Sequence, residues 1–131
     1  MTTLDIVSRH QVEMIDITGE VRRAIAASGV DAGLALLQVP HTTAAVTINE
    51  NADPDVVRDI TMELNKVIPF EDRYRHGEGN SAAHIKSSLV GAGELLIVEG
   101  GAPVLGTWQG IYFCEFDGPR HRKLHIKVLA G

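Results

Sequence analysis

Three histidines carry the densest chemistry in this chain. His76 and His84 lie within Tyr74-Arg75-His76-Gly77-Glu78-Gly79-Asn80-Ser81-Ala82-Ala83-His84, and His41 follows an apolar run that Pro40 interrupts. No hydrophobic core calls for two imidazoles, a carboxylate, a carboxamide and two glycines within eleven residues. Imidazole nitrogen suits zinc and its first-row neighbours, and three imidazoles with an open position activate a bound water or polarise an oxygen. The spacing of His76 and His84 is not itself a zinc signature, and a single histidine is more often a surface or hydrogen-bonded group. A shared site for one divalent cation, zinc first, is the reading that uses all three.

Acids and amides supply the remaining roles. Asp59 and Glu50 are the leading acid and base candidates because both flank the passage from strand to helix that begins at His41. Burial there would shift their protonation. Glu78, held only by glycines, ranks below them. Asn80 is read as fixing the substrate or steadying a ligand imidazole. Gly77, Gly79 and Asn80 tolerate positive φ, and with the start of the following helix they form a candidate cradle for an anion. Lys86 and Arg120 are candidate phosphate-binding charges, and Gln109 is a candidate substrate contact. The bland readings are an exposed turn acid, a helix-decorating aspartate and solvated basic groups.

The elements that would position these groups follow from periodicity. Residues 3–17 alternate loosely, as one long or two short strands do. Thr18 reads as the N-cap of a helix over 20–28, closed by Gly29. A buried strand over 32–39 follows, then a strand over 41–48 with Ala44, Val46 and Ile48 on one face. Asp53 and Pro54 open a helix reaching about Val67, with Val57, Ile60, Leu64 and Val67 as its apolar stripe. A polar loop over 70–80 leads to a short helix over 82–89. Strands are expected at 94–98, around Val104, at 107–116 and at 124–129, the last two paired across Asp117-Gly118-Pro119. Trp108 is expected in the core. The sum is a compact α+β fold: one domain over 1–131, mainly antiparallel sheet, with two to three helices.

Composition narrows the partners. The 131 residues suffice for one self-sufficient core, with 44% hydrophobic and 22% charged residues. A formal charge of -5 argues against binding a nucleic-acid backbone, so the expected partner is a small molecule. Cys114 is the single cysteine, which precludes an intrachain disulfide and favours a reducing compartment. No signal peptide or membrane-length apolar segment is visible, and the expectation is a cytoplasmic protein. Sheet edges in so small a domain favour a homo-oligomer.

Three ordered stretches also resemble a known family. His41-Thr42-Thr43-Ala44-Ala45 through Ile48-Asn49-Glu50-Asn51 and Asp53-Pro54-Asp55-Val56, then Asp59, is similar to the first signature of the YjbQ-like family. Tyr74-Arg75-His76, Glu78-Gly79-Asn80 and Ala83-His84-Ile85-Lys86-Ser87-Ser88-Leu89 resemble the second. Leu105-Gly106-Thr107-Trp108-Gln109-Gly110-Ile111 and Glu115-Phe116-Asp117-Gly118-Pro119-Arg120 resemble the third. The resemblance implies a homotrimer with a metal held by His41, His76 and His84, and with Glu50, Asp59, Asn80 and Gln109 beside it. It also implies the activity with which members are often labelled, thiamine-phosphate synthesis from a pyrimidine methyl pyrophosphate and a thiazole phosphate. The functional expectation is a small metal-dependent enzyme acting on a phosphorylated or pyrophosphorylated molecule; the alternative is a noncatalytic oligomer that binds a small anion or metal.

Overall fold

The first alternating stretch divides into two strands that serve different sheets, β1 (Thr2–Val7) and β2 (Glu13–Asp16), in a computed structural model that describes residues 1–131. Helix α1 (Thr18–Ala27) follows, then β3 (Gly33–Gln38), β4 (Ala44–Glu50), α2 (Pro54–Val67) and α3 (Ser81–Val90). The chain ends with β5 (Gly93–Glu99), the two-residue β6 (Ala102–Pro103), β7 (Gln109–Glu115) and β8 (His121–Ala130). All strand pairings are antiparallel. One sheet has the order β1-β8-β3-β5-β6 and the other β2-β7-β4. The α+β expectation, with three helices, is what the chain adopts.

Period-two alternation explains how the sheets stack. Ala44 and Val46 of β4 and Ile111 and Phe113 of β7 meet Ala35, Leu37, Leu96, Val98, Leu124 and Ile126 of the larger sheet in one core, which α1 closes with Val21, Ala24 and Ile25. The opposite faces of β4 and β7 present Ala45, Tyr112, Cys114 and the adjoining Phe116 to a second, smaller core under α2 and α3. Strand β7 is central in its sheet and covered on both faces, which is why it reads as an unbroken apolar run.

Several local expectations change. Ile17, not Thr18, is the N-cap of α1, and it makes no side-chain cap. Asp16 accepts from both the Thr18 N–H and its hydroxyl, while Thr18 Oγ1 accepts from Ile111 N, so this threonine ties α1 to β7. Strands β7 and β8 do not pair. Each already has two neighbours, β2 and β4 for β7, β1 and β3 for β8, so residues 116–120 carry the chain from one sheet to the other. Trp108 is 62% exposed in the loop before β7, because the strand begins one residue later. Val67 is also exposed, and the end of the α2 stripe is taken by the buried Ile68.

The outer face of the larger sheet has no helix over it. Leu34, Leu36, Leu95, Ile97 and Leu129 stand exposed there on neighbouring positions, since Leu34 pairs with both Ile97 and Leu129, and Leu36 with Leu95. No helix is long and apolar enough to cross a membrane.

Candidate functional site

Three chain segments meet at the edge of the smaller sheet and enclose a cavity of about 640 Å³. The β3–β4 loop brings Pro40 to Thr43, the segment entering α3 brings His76, Glu78, Asn80 and His84, and the crossing into β8 brings Asp117, Arg120 and Arg122. None of these eleven lining residues is hydrophobic.

A buried ion pair holds the segments in place. Arg122 Nε donates to Glu115 Oε1 at 2.9 Å and its Nη2 to Oε2 at 2.5 Å, with a further bond from Nη2 to Thr43 Oγ1 at 2.8 Å. Both side chains are almost fully buried. Ser8 Oγ donates to Glu115 Oε1 at 2.6 Å, and the Asp117 N–H donates to Oε2 at 3.0 Å. Burial by itself pushes the Glu115 carboxyl up, but the donations from Arg122, Ser8 and Asp117 outweigh it and hold the group below its ordinary range. Gly118 permits the close turn: a Cβ there would lie 2.2 Å from His10 O and 2.8 Å from Ser8 Oγ.

Asp117 extends this network into the cavity. Its Oδ2 accepts from Asn80 Nδ2 at 3.0 Å and from Arg120 Nη2 at 3.1 Å, while Arg120 Nε donates to its carbonyl at 2.7 Å. Asn80 is the N-cap of α3, where a carboxamide oxygen ordinarily accepts from the first-turn N–H groups. It makes no such bond, and Asn80 Oδ1 is buried without any partner. An acceptor left in that state costs about 1 to 3 kcal/mol, which a cation or a donor on a ligand would recover.

The histidines occupy the same cavity in different ways. His76 and His84 stand edge to face, 5.7 Å between ring centroids and 85° between planes. His76 Nε2 lies 3.8 Å from Glu78 Oε2, beyond a hydrogen bond. His41 Nε2 accepts the Lys123 N–H at 2.9 Å, which leaves Nδ1 for any ligand. Burial, then the nearby Arg122 guanidinium, lowers the His41 pKa below its ordinary value. As placed, no three His, Cys, Asp or Glu side chains form a ligand set for an ion. The donors therefore fit a divalent cation in kind, as imidazole nitrogens with an unsatisfied amide oxygen beside them, and binding one would require the rings to turn.

Of the residues singled out by sequence, His41, His76, His84, Asn80 and Arg120 line this cavity, and so does Glu78. Glu50, Asp59, Gln109 and Lys86 do not. Glu50 and Gln109 pair with each other at the far end of β4 and β7, six residues from the Ala44–Glu115 pair, or about 20 Å along the strand. Gln109 Oε1 accepts from Gly106 N at 2.8 Å and closes the turn into β7. Asp59 is exposed on α2. Lys86 is fully buried behind the wall: its ammonium donates to Asn65 Oδ1 and sits 4.2 Å from the Phe70 ring centroid, and burial pushes it down from 10.5 to about 8. The residues that sequence reasoning passed over are Glu115, Arg122, Thr43 and Asp117. A signal for the first existed, since a carboxylate inside Tyr112-Phe113-Cys114-Glu115-Phe116 must find a buried cation.

Comparison with known proteins gives the family. The model of "UPF0047 protein YjbQ-like" matches residues 2–131. The chain belongs to the YjbQ-like UPF0047 family. It is 55% identical over 131 residues to the UPF0047 protein YugU of Bacillus subtilis, covering 99% of each chain. A UPF0047-family crystal structure from Clostridium acetobutylicum superposes with a TM-score of 0.97 at 52% identity, covering 98% of this chain and all of that one. A Sulfolobus solfataricus protein, described as YbjQ-like and of unknown function, gives 0.95 at 30% identity over 99% of this chain and 96% of its own. These relatives fix the family and fold, and their names specify no reaction.

Two consequences can be measured. Arg122→Met leaves the Glu115 carboxylate buried without its cation, and denaturant unfolding is expected to show a loss of about 3 to 5 kcal/mol; a loss under 1 kcal/mol would mean that the pair does not hold these segments together. Lys86 makes the opposite kind of prediction. Above about pH 8 the folded protein releases this proton, while the unfolded chain keeps it until about 10.5. The unfolded state then binds more protons, so stability rises with pH across that window. Wild type is expected to gain stability relative to Lys86→Met between those values, and a constant difference would show that the ammonium is not desolvated.

Proposed function

We propose that this chain is a small metal-dependent enzyme that binds a phosphorylated or pyrophosphorylated molecule in the histidine-lined cavity. The observation that carries the reading is the orphaned Asn80 Oδ1 in a wall that also bears His41, His76 and His84 and has no hydrophobic member. A partnerless buried acceptor favours a cation or its bound water over an empty polar hollow. His41, His76 and His84 would hold the cation, with zinc the first candidate by ligand type. When bound, such an ion neutralises negative charge on phosphoryl oxygens.

The chain's own residues supply the rest. Arg122 is a guanidinium already locked by Glu115, so it faces an anion without losing side-chain freedom. Arg120 is half exposed and tethered to Asp117, which suits a group that tracks a bound phosphate. Asn80 fixes the ligand through its free oxygen. Glu78 stands nearest to His76 and is the acid or base of the cavity, a role the sequence favoured for Asp59 and Glu50. Thiamine-phosphate formation is one reaction of this class, since it releases pyrophosphate. The lining has no hydrophobic side chain that would select the pyrimidine or thiazole ring.

The second reading is a noncatalytic binder of a small anion or metal, and the same cavity favours it. Protein purified without added metal is expected to carry one divalent ion per chain, and His84→Ala at least tenfold less. Metal content unchanged by that substitution removes the histidine site. Metal-dependent release of phosphate or pyrophosphate from a panel of phosphorylated compounds, including the two thiamine precursors, supports the enzyme; an inert panel with metal retained supports the binder.

We propose further that the uncovered face bearing Leu36, Leu95 and Ile97 joins copies of the chain into a homotrimer. An apolar patch of this kind is rarely left open to water. Sedimentation should give a trimer for wild type and a monomer for the double variant Leu36→Glu, Ile97→Glu, and a monomeric wild type would end the proposal.

A further inference from the structure

A second cavity, of about 230 Å³, lies between α2 and the smaller sheet and shares no residue with the histidine site. Seven of its ten lining residues are hydrophobic, and none is charged. Ile60 and Leu64 come from α2, Val90 from α3, and Cys114 and Phe116 from β7 and its end, with Thr47 and Asn49 of β4 and Thr61 of α2 as the polar members. Protein interiors rarely leave gaps much larger than a water molecule. Here Val57 and Leu64 of α2 pack against the smaller core, yet no residue of the helix is fully buried and the space remains beneath it.

At its entry the Asn51 N–H donates to Trp108 O at 2.9 Å, and Asp53 caps the first turn. At its exit Asn65 accepts from Lys86, and Ile68 is buried. Between those anchors no residue of α2 reaches full burial, although Val57, Ile60 and Leu64 face inward. The helix spans the sheet as a strap.

We infer that this space is a binding site for a small neutral molecule with an apolar body and a single hydrogen-bonding end. Size follows from volume: benzene, with six carbons, occupies an engineered cavity of ~150 Å³, so this one holds roughly nine heavy atoms. Neutrality follows from the absence of any charged lining group, because an ion would enter without a partner. The hydrogen-bonding end would be a donor that meets the Thr47 hydroxyl oxygen, because Asn49 Oδ1 already accepts from the Glu50 N–H and its Nδ2 can only donate. In the closed structure Cys114 is a wall and not a nucleophile: the residue is 2% exposed, and burial pushes its thiol up to about 12. This site is independent of the phosphoryl chemistry proposed above.

Indole, a nine-atom neutral ring with one N–H, is the probe. It is expected to raise the melting temperature of the full chain in a saturable way and to slow labelling of Cys114, the single cysteine, which reacts only when the site opens, at least fivefold. Thr61→Leu and Val90→Phe each fill the space from a different side, and a helix accepts leucine readily. Either variant, once shown by circular dichroism to be folded, should lose both effects. Benzoate, an acid of the same nine heavy atoms, should bind at least tenfold more weakly, since its carboxylate finds no cation. No saturable response to indole, an undiminished response in both filled variants, or equal binding of the acid would each overturn the inference.

Discussion

Arg122 and Glu115 stand seven residues apart across the crossing that joins β7 in the smaller sheet to β8 in the larger. Each brings a charge into a region almost free of solvent, and neither could remain there alone. Their hydrogen bonds reach Ser8, at the end of β1, and Thr43, at the start of β4, so one pair fixes four segments. The crossing residues Asp117 and Arg120 are set by the same contacts, and through Asp117 so is Asn80 at the head of α3. The polar cavity is thus built outward from a salt bridge, while the apolar core keeps the sheets together.

That arrangement explains why the cavity tolerates an unsatisfied atom. Asn80 could cap α3 with its oxygen, as asparagine commonly does, but its Nδ2 is drawn to Asp117. The carboxamide is held in one orientation by a neighbour that is itself held by Arg120 and by the Glu115 network. A polar group fixed in this way bears its desolvation cost in advance, and the atom itself needs no reorganisation when a ligand arrives. Lys86 does related work on the opposite side of α3. Its ammonium joins that helix to Asn65 and Phe70, and so to the segment that carries His76. Asn80 and Lys86 are polar anchors at α3 that flank the glycine-containing stretch between α2 and α3, which periodicity alone leaves as a loop; Ser87, whose hydroxyl donates to Ala44 O at 2.6 Å, ties the same helix to β4.

The two cavities differ because their walls come from different faces of the same strands. Strands β4 and β7 turn one set of side chains to the core between the sheets and the alternate set to α2 and α3, as period-two geometry requires. Beyond the strand ends that alternation stops. There the lining is polar and drawn from connections, and beneath α2 it is apolar and drawn from strand faces.

Much of this was open to sequence reading. Approximate strand and helix spans, the antiparallel α+β class and the double-faced apolar character of β7 are encoded in local periodicity and residue type. So is the family, because its three signatures are contiguous. What local pattern cannot encode is which strands have a free edge: β7 and β8 look like a hairpin until β2, β4, β1 and β3 are seen to occupy their neighbours' places. The same limit moved Glu50 and Gln109 to the far end of β4 and β7, put Lys86 behind the wall, and drew in Arg122, Glu115, Thr43 and Asp117. Sequence determined which segments become strands and helices and which of their positions are apolar, because those depend on neighbours along the chain. Tertiary structure alone decided which of them meet, because pairing a buried charge or choosing a sheet edge depends on partners about 80 to 110 residues away, as with Thr43 and Arg122 or Ser8 and Glu115.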